Sequence, residues 1–256
     1  MASDPCAHLT KRRTGIARNH DHRKRGVAVI FTTLLAQNAD EILSATCDRL
    51  GATFDPSLSW DERLQGATSG KFDGVWVCGL LGMRLIRSGD LAGAVGAAPV
   101  FEGWKRPVYQ SIIVARQTSG FASLADAAGA VLAVNDYGSW SGYDALAEHL
   151  RTHRRSIDMF GSEVETGSHL TSIEAVKQRR ADVAAIDHTV WDWAAARGHI
   201  EGLVVIDRSS PWPAPPLITL NTEVADGVIE TDLTGIPGID RWVAADQDEY
   251  EVYLEF

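Results

Sequence analysis

Two α/β lobes, each a central, mainly parallel sheet flanked by helices, are what the order of apolar patterns along this chain predicts. Three observations carry that expectation. Short β-rich runs alternate with segments of helical spacing through both halves of the sequence, as in βαβ units. A longer β-rich run, Val108 to Ala115 after Pro107, interrupts the rhythm and separates two sets of such units. Pro211-Trp212-Pro213-Ala214-Pro215-Pro216 then reads as a return crossing, so residues 26–108 with 209–256 are expected to form one lobe, residues 109–208 the other, and a ligand cleft to lie between them.

In chain order, the first set begins with the β-branched run of residues 27–33, followed by a helix over about 39–50 through Ile42, Leu43, Ala45 and Leu50. A strand at about 52–57, a helix at about 60–68 and a strand at Gly74 to Cys78 come next, and Gly79-Leu80-Leu81-Gly82 opens another helix. The second set has a helix at 123–128 with Ser123 as its cap, strands at 130–135, about 162–166 and 182–186, and helices at 142–151, 170–178 and 188–196. Leu203 to Ile206 supplies one more strand. Ligands in parallel α/β sheets collect beyond the strand C-termini, which draws attention to the loops that follow these strands.

The loop Gly138-Ser139-Trp140-Ser141-Gly142 lies between an apolar strand, Val131 to Val134, and a helix marked by Tyr143, Leu146, Ala147 and Leu150. Free amides and the positive end of a helix dipole point out of such a loop, with two hydroxyls beside them, so it can hold an anion. The competing reading is plain capping, since Ser141-x-x-Asp144 fits the capping-box pattern. A serine nucleophile is not supported, because Trp140 stands at the centre where a G-x-S-x-G elbow needs serine, and no Walker-type phosphate loop occurs. Thr166-Gly167-Ser168-His169, Asp187 with His188 after it, and Tyr109 at the crossing also end strands of the second set. Each is individually read as a cap or surface residue, and together they converge on one cleft.

Hydrophobic residues at 45% and charged residues at 23% are those of a soluble globular chain of 256 residues, long enough for a substantial core. A formal charge of -10 argues against nucleic acid or an acidic membrane surface as partner. Residues 1–25 are rich in Arg, Lys and His and read as a basic, disordered tail. Cys6, Cys47 and Cys78 are odd in number and lack a C-x-x-C, so neither a disulfide framework nor a zinc site is expected, and no metal, cofactor or catalytic residue is assigned. Cys78 at a strand end is a packed thiol or, as the weaker alternative, a nucleophile. No apolar run reaches the roughly 18 residues of a membrane span. His22 to Arg25 followed by Val27 to Ala36 admits two readings, a short signal-peptide core or the first core strand, and the direct passage into a helical pattern favours the strand.

On these residues the sequence resembles the phosphate, phosphite and phosphonate substrate-binding proteins of ABC transporters. The matching segments are Arg106 to Ser111, Leu124-Ala125-Asp126, Asn135 to Tyr143, Thr166 to His169 with Ser172-Ile173, and Ala181 to Asp187. The resemblance implies a two-lobed type II periplasmic-binding-protein fold, a small anionic ligand, a permease partner, a monomer, and no enzymatic activity. It also implies ligand contacts from Tyr109, Ser139, Trp140, Ser141, Gly142, His169 and Asp187. Trp140 stands where the family carries a smaller residue, which predicts a narrower pocket or one that stacks a different group. The family implies export to the periplasm or cell exterior, whereas the lack of a convincing signal before the first strand points to the cytoplasm. A cytoplasmic ligand sensor or an enzyme of the same fold is the alternative.

Overall fold

β1, Ile30–Leu34, is buried along nearly its whole length and lies between β2, Thr53–Phe54, and β3, Gly74–Val77, parallel to both. The computed structural model describes residues 28–256, so the basic tail lies outside the described residues. Helix α1, Gln37–Leu50, buries Ala39, Ile42, Leu43 and Cys47 at helical spacing and ends at Gly51, whose φ of 73° is the left-handed geometry that glycine adopts without strain. α2, Trp60–Thr68, starts with a capping box in which the Ser59 side chain accepts from the Glu62 N–H and the Glu62 carboxylate accepts from Ser59. Its Arg63 is only 6% exposed and is fully committed: the guanidinium holds Asp40 at 2.6 and 3.0 Å and reaches the Thr33, Pro56 and Leu58 carbonyls. That buried cation fixes the β1 to α1 junction, and with it the first turn of α1 at the cleft.

α3, Gly79–Ser88, leads to β4, Ala94–Phe101, a strand that the small residues and Pro99 of its sequence conceal. From there the chain crosses through the two-residue β5, Val108–Tyr109, into the second lobe. That lobe is a five-stranded sheet in the order β10 (Leu203–Arg208), β6 (Ser111–Arg116), β9 (Val183–Asp187), β7 (Val131–Val134), β8 (Ser162–Glu165). α4, Ala145–Thr152, α5, His169–Lys177, and α6, His188–Ala196, cover its faces. The chain returns through β11, Trp212–Pro213, which pairs antiparallel with β5 and places Trp212 opposite Tyr109. β12, Leu217–Thr219, α7, Thr222–Ile229, and β13, Ile239–Ala244, complete the first sheet, whose order is β13-β4-β12-β3-β1-β2.

Both sheets are mixed rather than mainly parallel. β1 with β2 and β3, and β7 with β8 and β9, are the parallel βαβ pairings; β12 enters antiparallel between β3 and β4, and β6 runs antiparallel to β9 and β10. The strands next to the crossings are the antiparallel ones, because each carries the chain into a lobe against the direction of the units already there. Residues 123–128 form only a single 3-10 turn, Leu124–Ala127, since Gly129 at φ 79° ends the segment before a second turn can form. The strand expected at 52–57 is likewise cut to Thr53–Phe54, ahead of the turn at Pro56. A closing 3-10 segment, Gln247–Glu255, packs back on the ribbon, with the Tyr250 and Tyr253 hydroxyls donating to the Ala214 and Pro213 carbonyls at 2.8 and 2.6 Å. Among the described residues no helix is long and apolar enough to cross a membrane.

Candidate functional site

A cleft of about 410 Å³ lies between the lobes, at the C-terminal ends of β1, β3, β7 and β9. Tyr109, Ser139, Ser141, His169 and Asp187 all line it. The first lobe contributes Ala36, Gln37, Asn38 and Ala39 from the start of α1, where no side chain caps the helix, together with Trp60, Trp76, Cys78 and Phe101. Uncapped first-turn amides are open to a ligand acceptor. Among the described residues, no lysine or arginine lines this cleft.

The loop after β7 enters a π-helical turn, Trp140–Asp144, that continues into α4. Ser139, rather than Ser141, is the cap: its Oγ accepts from the Gly142 N–H at 3.2 Å. Ser141 is thereby released from capping duty, and its Oγ sits 3.1 Å from His169 Nε2 while its carbonyl accepts from the Ser111 hydroxyl at 2.6 Å. Gly142 is required for a steric reason, because a Cβ there would stand 1.5 Å from Asn135 Oδ1. Neither Gly142 nor Trp140 is among the residues lining the cleft.

Trp140 does not narrow the pocket or stack within it, as its size suggested. The indole is 1% exposed and turns out of the second lobe into the first lobe's core, with ring centroids 4.4 Å from Trp212, 4.8 Å from Tyr253 and 5.1 Å from Phe256. An aromatic of this area finds more apolar contact there than a polar cleft offers. The main-chain N–H of Trp140 faces the Cys78 thiol instead, and burial keeps that thiol protonated by raising its pKa. Cys78 is thus packed as a neutral thiol, and the nearby Asp187 carboxylate further disfavours its thiolate.

Asp187 ends β9, and its Oδ1 accepts from both the N–H and the hydroxyl of Thr189 at 2.8 Å, as an α6 cap should. It is also only 9% exposed, and burial pushes its pKa up to about 6 against the lowering effect of Thr189, Ser141 and Val190. His169, at the start of α5, is pushed down to about 4 by burial and is therefore neutral at pH 7. Its Nδ1 makes no hydrogen bond of good geometry, although the Ala185 carbonyl lies close enough to favour the protonated ring. Asn135 Oδ1 is also buried without a hydrogen-bond partner, and the Tyr109 hydroxyl is buried beside that of Tyr253. His188 does not line the cleft: its ring packs against Phe101 and Trp104, while its Nδ1 lies 3.8 Å from Asp187 Oδ1.

Sequence reasoning did not single out Asn38, Thr189, Ser111 or Asn135. Ser111 and Asn135 fall within segments that carry the family resemblance without a role assigned to them, and Thr189 had only its place after Asp187 and His188 at a strand end as a signal. Asn38 carried none, since its importance lies in a contact with the other lobe: its Nδ2 donates to Thr189 Oγ1 at 2.9 Å. A second contact between the lobes joins Arg197 to Glu41 at 2.7 and 2.9 Å.

Among the solved structures, the fold is similar to a binding-protein component of an ABC phosphonate transporter from Pseudomonas aeruginosa, 19% identical, with a TM-score of 0.69 over 89% of this chain and 84% of that one. It is also similar to PhnD1 from Prochlorococcus marinus in complex with methylphosphonate, 14% identical, TM-score 0.71, covering 89% and 96% of the two chains. A Xanthomonas citri protein bound to ATP, 15% identical, follows at TM-score 0.57 with 89% and 94% covered. At these identities the likeness is one of fold. Comparison with the curated proteins gave no match. The family model for the periplasmic substrate-binding protein of phosphonate ABC transporters matches residues 36–250, nearly the whole described chain. The chain belongs to that family of two-lobed substrate-binding proteins, which are not enzymes.

Proposed function

We propose that this protein binds a small phosphorus oxyanion, a phosphonate, phosphite or phosphate-like acid, in its singly charged form, and presents it to an ABC-transporter permease as a monomer on the outer side of the membrane. Tyr109, Ser139, Ser141, His169 and Asp187 form the polar side of the site in this reading, with the Trp140 and Gly142 main chain shaping the loop behind them. The lobes, residues 26–108 with 209–256 and residues 109–208, close about the β5–β11 ribbon. The methylphosphonate held by the Prochlorococcus protein makes an alkylphosphonate the first ligand to try.

One observation carries the charge preference: a buried carboxylate, Asp187, shares a cleft with Ser141 and with helix starts, and no lysine or arginine lines that cleft among the described residues. Partial charges at helix N-termini and hydroxyl donors stabilise a single negative charge. A full dianion facing an ionised Asp187 is repelled, whereas a ligand oxygen that keeps its proton donates to the carboxylate. The bound state therefore holds one shared proton. Affinity falls as pH rises through the ligand's second ionisation, because that proton must then be taken up from solution.

Calorimetric titration with methylphosphonate, phosphite and phosphate from about pH 6 to 9 tests this, with a decline of about tenfold per pH unit above the ligand's second pKa expected. For phosphate esters that pKa is about 6. Affinity that stays flat across the second ionisation of every ligand that binds would show that Asp187 is not the acceptor.

A further inference from the structure

Asn38 belongs to the first lobe and Thr189 to the second, yet the two side chains join at 2.9 Å within the cleft. An amide nitrogen can only donate, so Thr189 Oγ1 is the acceptor of that bond. A hydroxyl has one hydrogen, and among the described residues the acceptor it meets is Asp187 Oδ1, at 2.8 Å. Asp187 Oδ1 accepts a second bond from the Thr189 N–H, also at 2.8 Å. Both hydrogens of Thr189 are then spent on one carboxylate oxygen, and the Ser141 hydroxyl and the Val190 N–H further favour the ionised carboxylate. Ser141 likewise has one hydrogen: it goes to His169 Nε2 when the ring carries its proton on Nδ1 beside the Ala185 carbonyl, and to Asp187 or a ligand when the ring carries it on Nε2.

Resting on the reading of the cleft given above, we propose that Asn38 and Thr189 are positioning residues that couple lobe closure to ligand protonation: contact between the lobes aims the Thr189 hydroxyl at Asp187 and so fixes the carboxylate as a proton acceptor. A donor that receives a hydrogen bond on its own oxygen is polarised and donates more strongly. In the open form Asn38 is withdrawn and the Thr189 hydroxyl is free to turn. The closed form is thus the one that discriminates against a ligand without a proton to give.

The other ionisable groups that face Asp187 are neutral near pH 7, so they do not compete for this role. His188 Nδ1 lies 3.8 Å from Oδ1 and, like His169, is held near a pKa of about 4 by burial. Cys78, Tyr109 and Tyr253 all have pKa values raised, chiefly by burial. Proton exchange within the cleft near neutral pH is confined to Asp187 and the ligand.

Two limbs follow in the pH profile of affinity. The alkaline limb is the ligand's own ionisation; the acid limb appears where the unliganded cleft protonates Asp187, since one of two protons must then leave on binding. The test is calorimetric titration of the full chain with methylphosphonate from about pH 4.5 to 9, for wild type and four variants. Thr189→Val removes the hydroxyl and should move the acid limb up by about 1 pH unit, while Thr189→Ser keeps the hydroxyl and should leave it in place. Asn38→Asp places a pure acceptor in the first lobe, which takes the Thr189 hydrogen and adds negative charge, and should move the acid limb up at least as far. Asn38→Ala should weaken binding with a smaller displacement. An acid limb that coincides in wild type and Thr189→Val, or is absent in wild type, overturns the coupling while the alkaline limb still stands for monoanion binding; should the valine variant not fold, the limb of Asn38→Asp decides in its place. A wild type that binds none of methylphosphonate, phosphite and phosphate overturns both.

Discussion

The two walls of the cleft are built from different materials. On the second-lobe side Ser141, His169 and Asp187 are buried polar side chains, each between 6% and 9% exposed, linked to one another and to Thr189. On the first-lobe side the uncapped start of α1 offers main-chain amides, and Trp60, Trp76 and Phe101 supply apolar surface. In the proposed reading the second lobe senses the charge and protonation of a ligand, while the first seals it from water and adds donors that cannot titrate. The same division runs through two adjacent loop residues: Ser141 enters the polar cleft, and Trp140 leaves it for the first lobe's aromatic core.

Breaking the apolar half of that loop should have the largest effect. Trp140→Ala removes a fully buried indole packed on Trp212, Tyr253 and Phe256, and is expected to cost about 3–5 kcal/mol of stability, a fall in Tm on the order of 10 °C. Thermal unfolding followed by circular dichroism measures it. A Tm unchanged from wild type would mean that the loop is not anchored in the first lobe's core.

Burial of the polar wall should appear in the pH dependence of stability. His169 and His188 have folded pKa values of about 4, against an ordinary 6.5, so between those limits the unfolded chain binds protons that the folded chain does not. Stability falls as pH falls through that window, by about 3 kcal/mol for each ring. Asp187, raised from 3.8 to about 6, acts in the opposite direction: its folded form gains a proton as pH falls below 6, and this offsets roughly one of the two rings. Urea denaturation at pH 6.5 and 4.5 should show a net loss, smaller in His188→Gln and larger in Asp187→Asn. Equal slopes in all three proteins would place these groups in solvent.

The serines separate capping from ligand contact. Ser141→Ala should weaken oxyanion binding by about 1.5–3 kcal/mol, roughly 10- to 150-fold. Ser139→Ala should mainly cost about 1 kcal/mol of stability, because its oxygen is committed to the Gly142 N–H. Calorimetry beside thermal unfolding gives both numbers, and an affinity loss greater for Ser139→Ala would reverse the assignment. The smallest effect is expected from the exposed pair that spans the lobes. Arg197→Ala or Glu41→Ala should change affinity by less than about fivefold, since an ion pair in solvent contributes under about 1 kcal/mol. A larger change would make that pair, rather than Asn38 with Thr189, the main lobe contact.

By itself the sequence determined the α/β class, the loop after β7, and the group of Tyr109, Ser139, Ser141, His169 and Asp187 that lines one cleft. These are local signals, set by strand and helix periodicity and by the rule that loops after strand C-termini carry function. Tertiary structure decided the remainder. Strand β4 is a run of small residues with a proline, Ala94–Phe101, and is a strand because β12 and β13 pair with it. Trp140 gave no sign of its direction, because the core that receives it is assembled from residues 212, 253 and 256, far along the chain. Asn38 and Thr189 are separated by 151 positions, and their bond exists only where two lobes meet. Periodicity reports which face of an element is buried; which distant side chain waits on that face is fixed only by packing, and it is packing that brings Asn38 to Thr189.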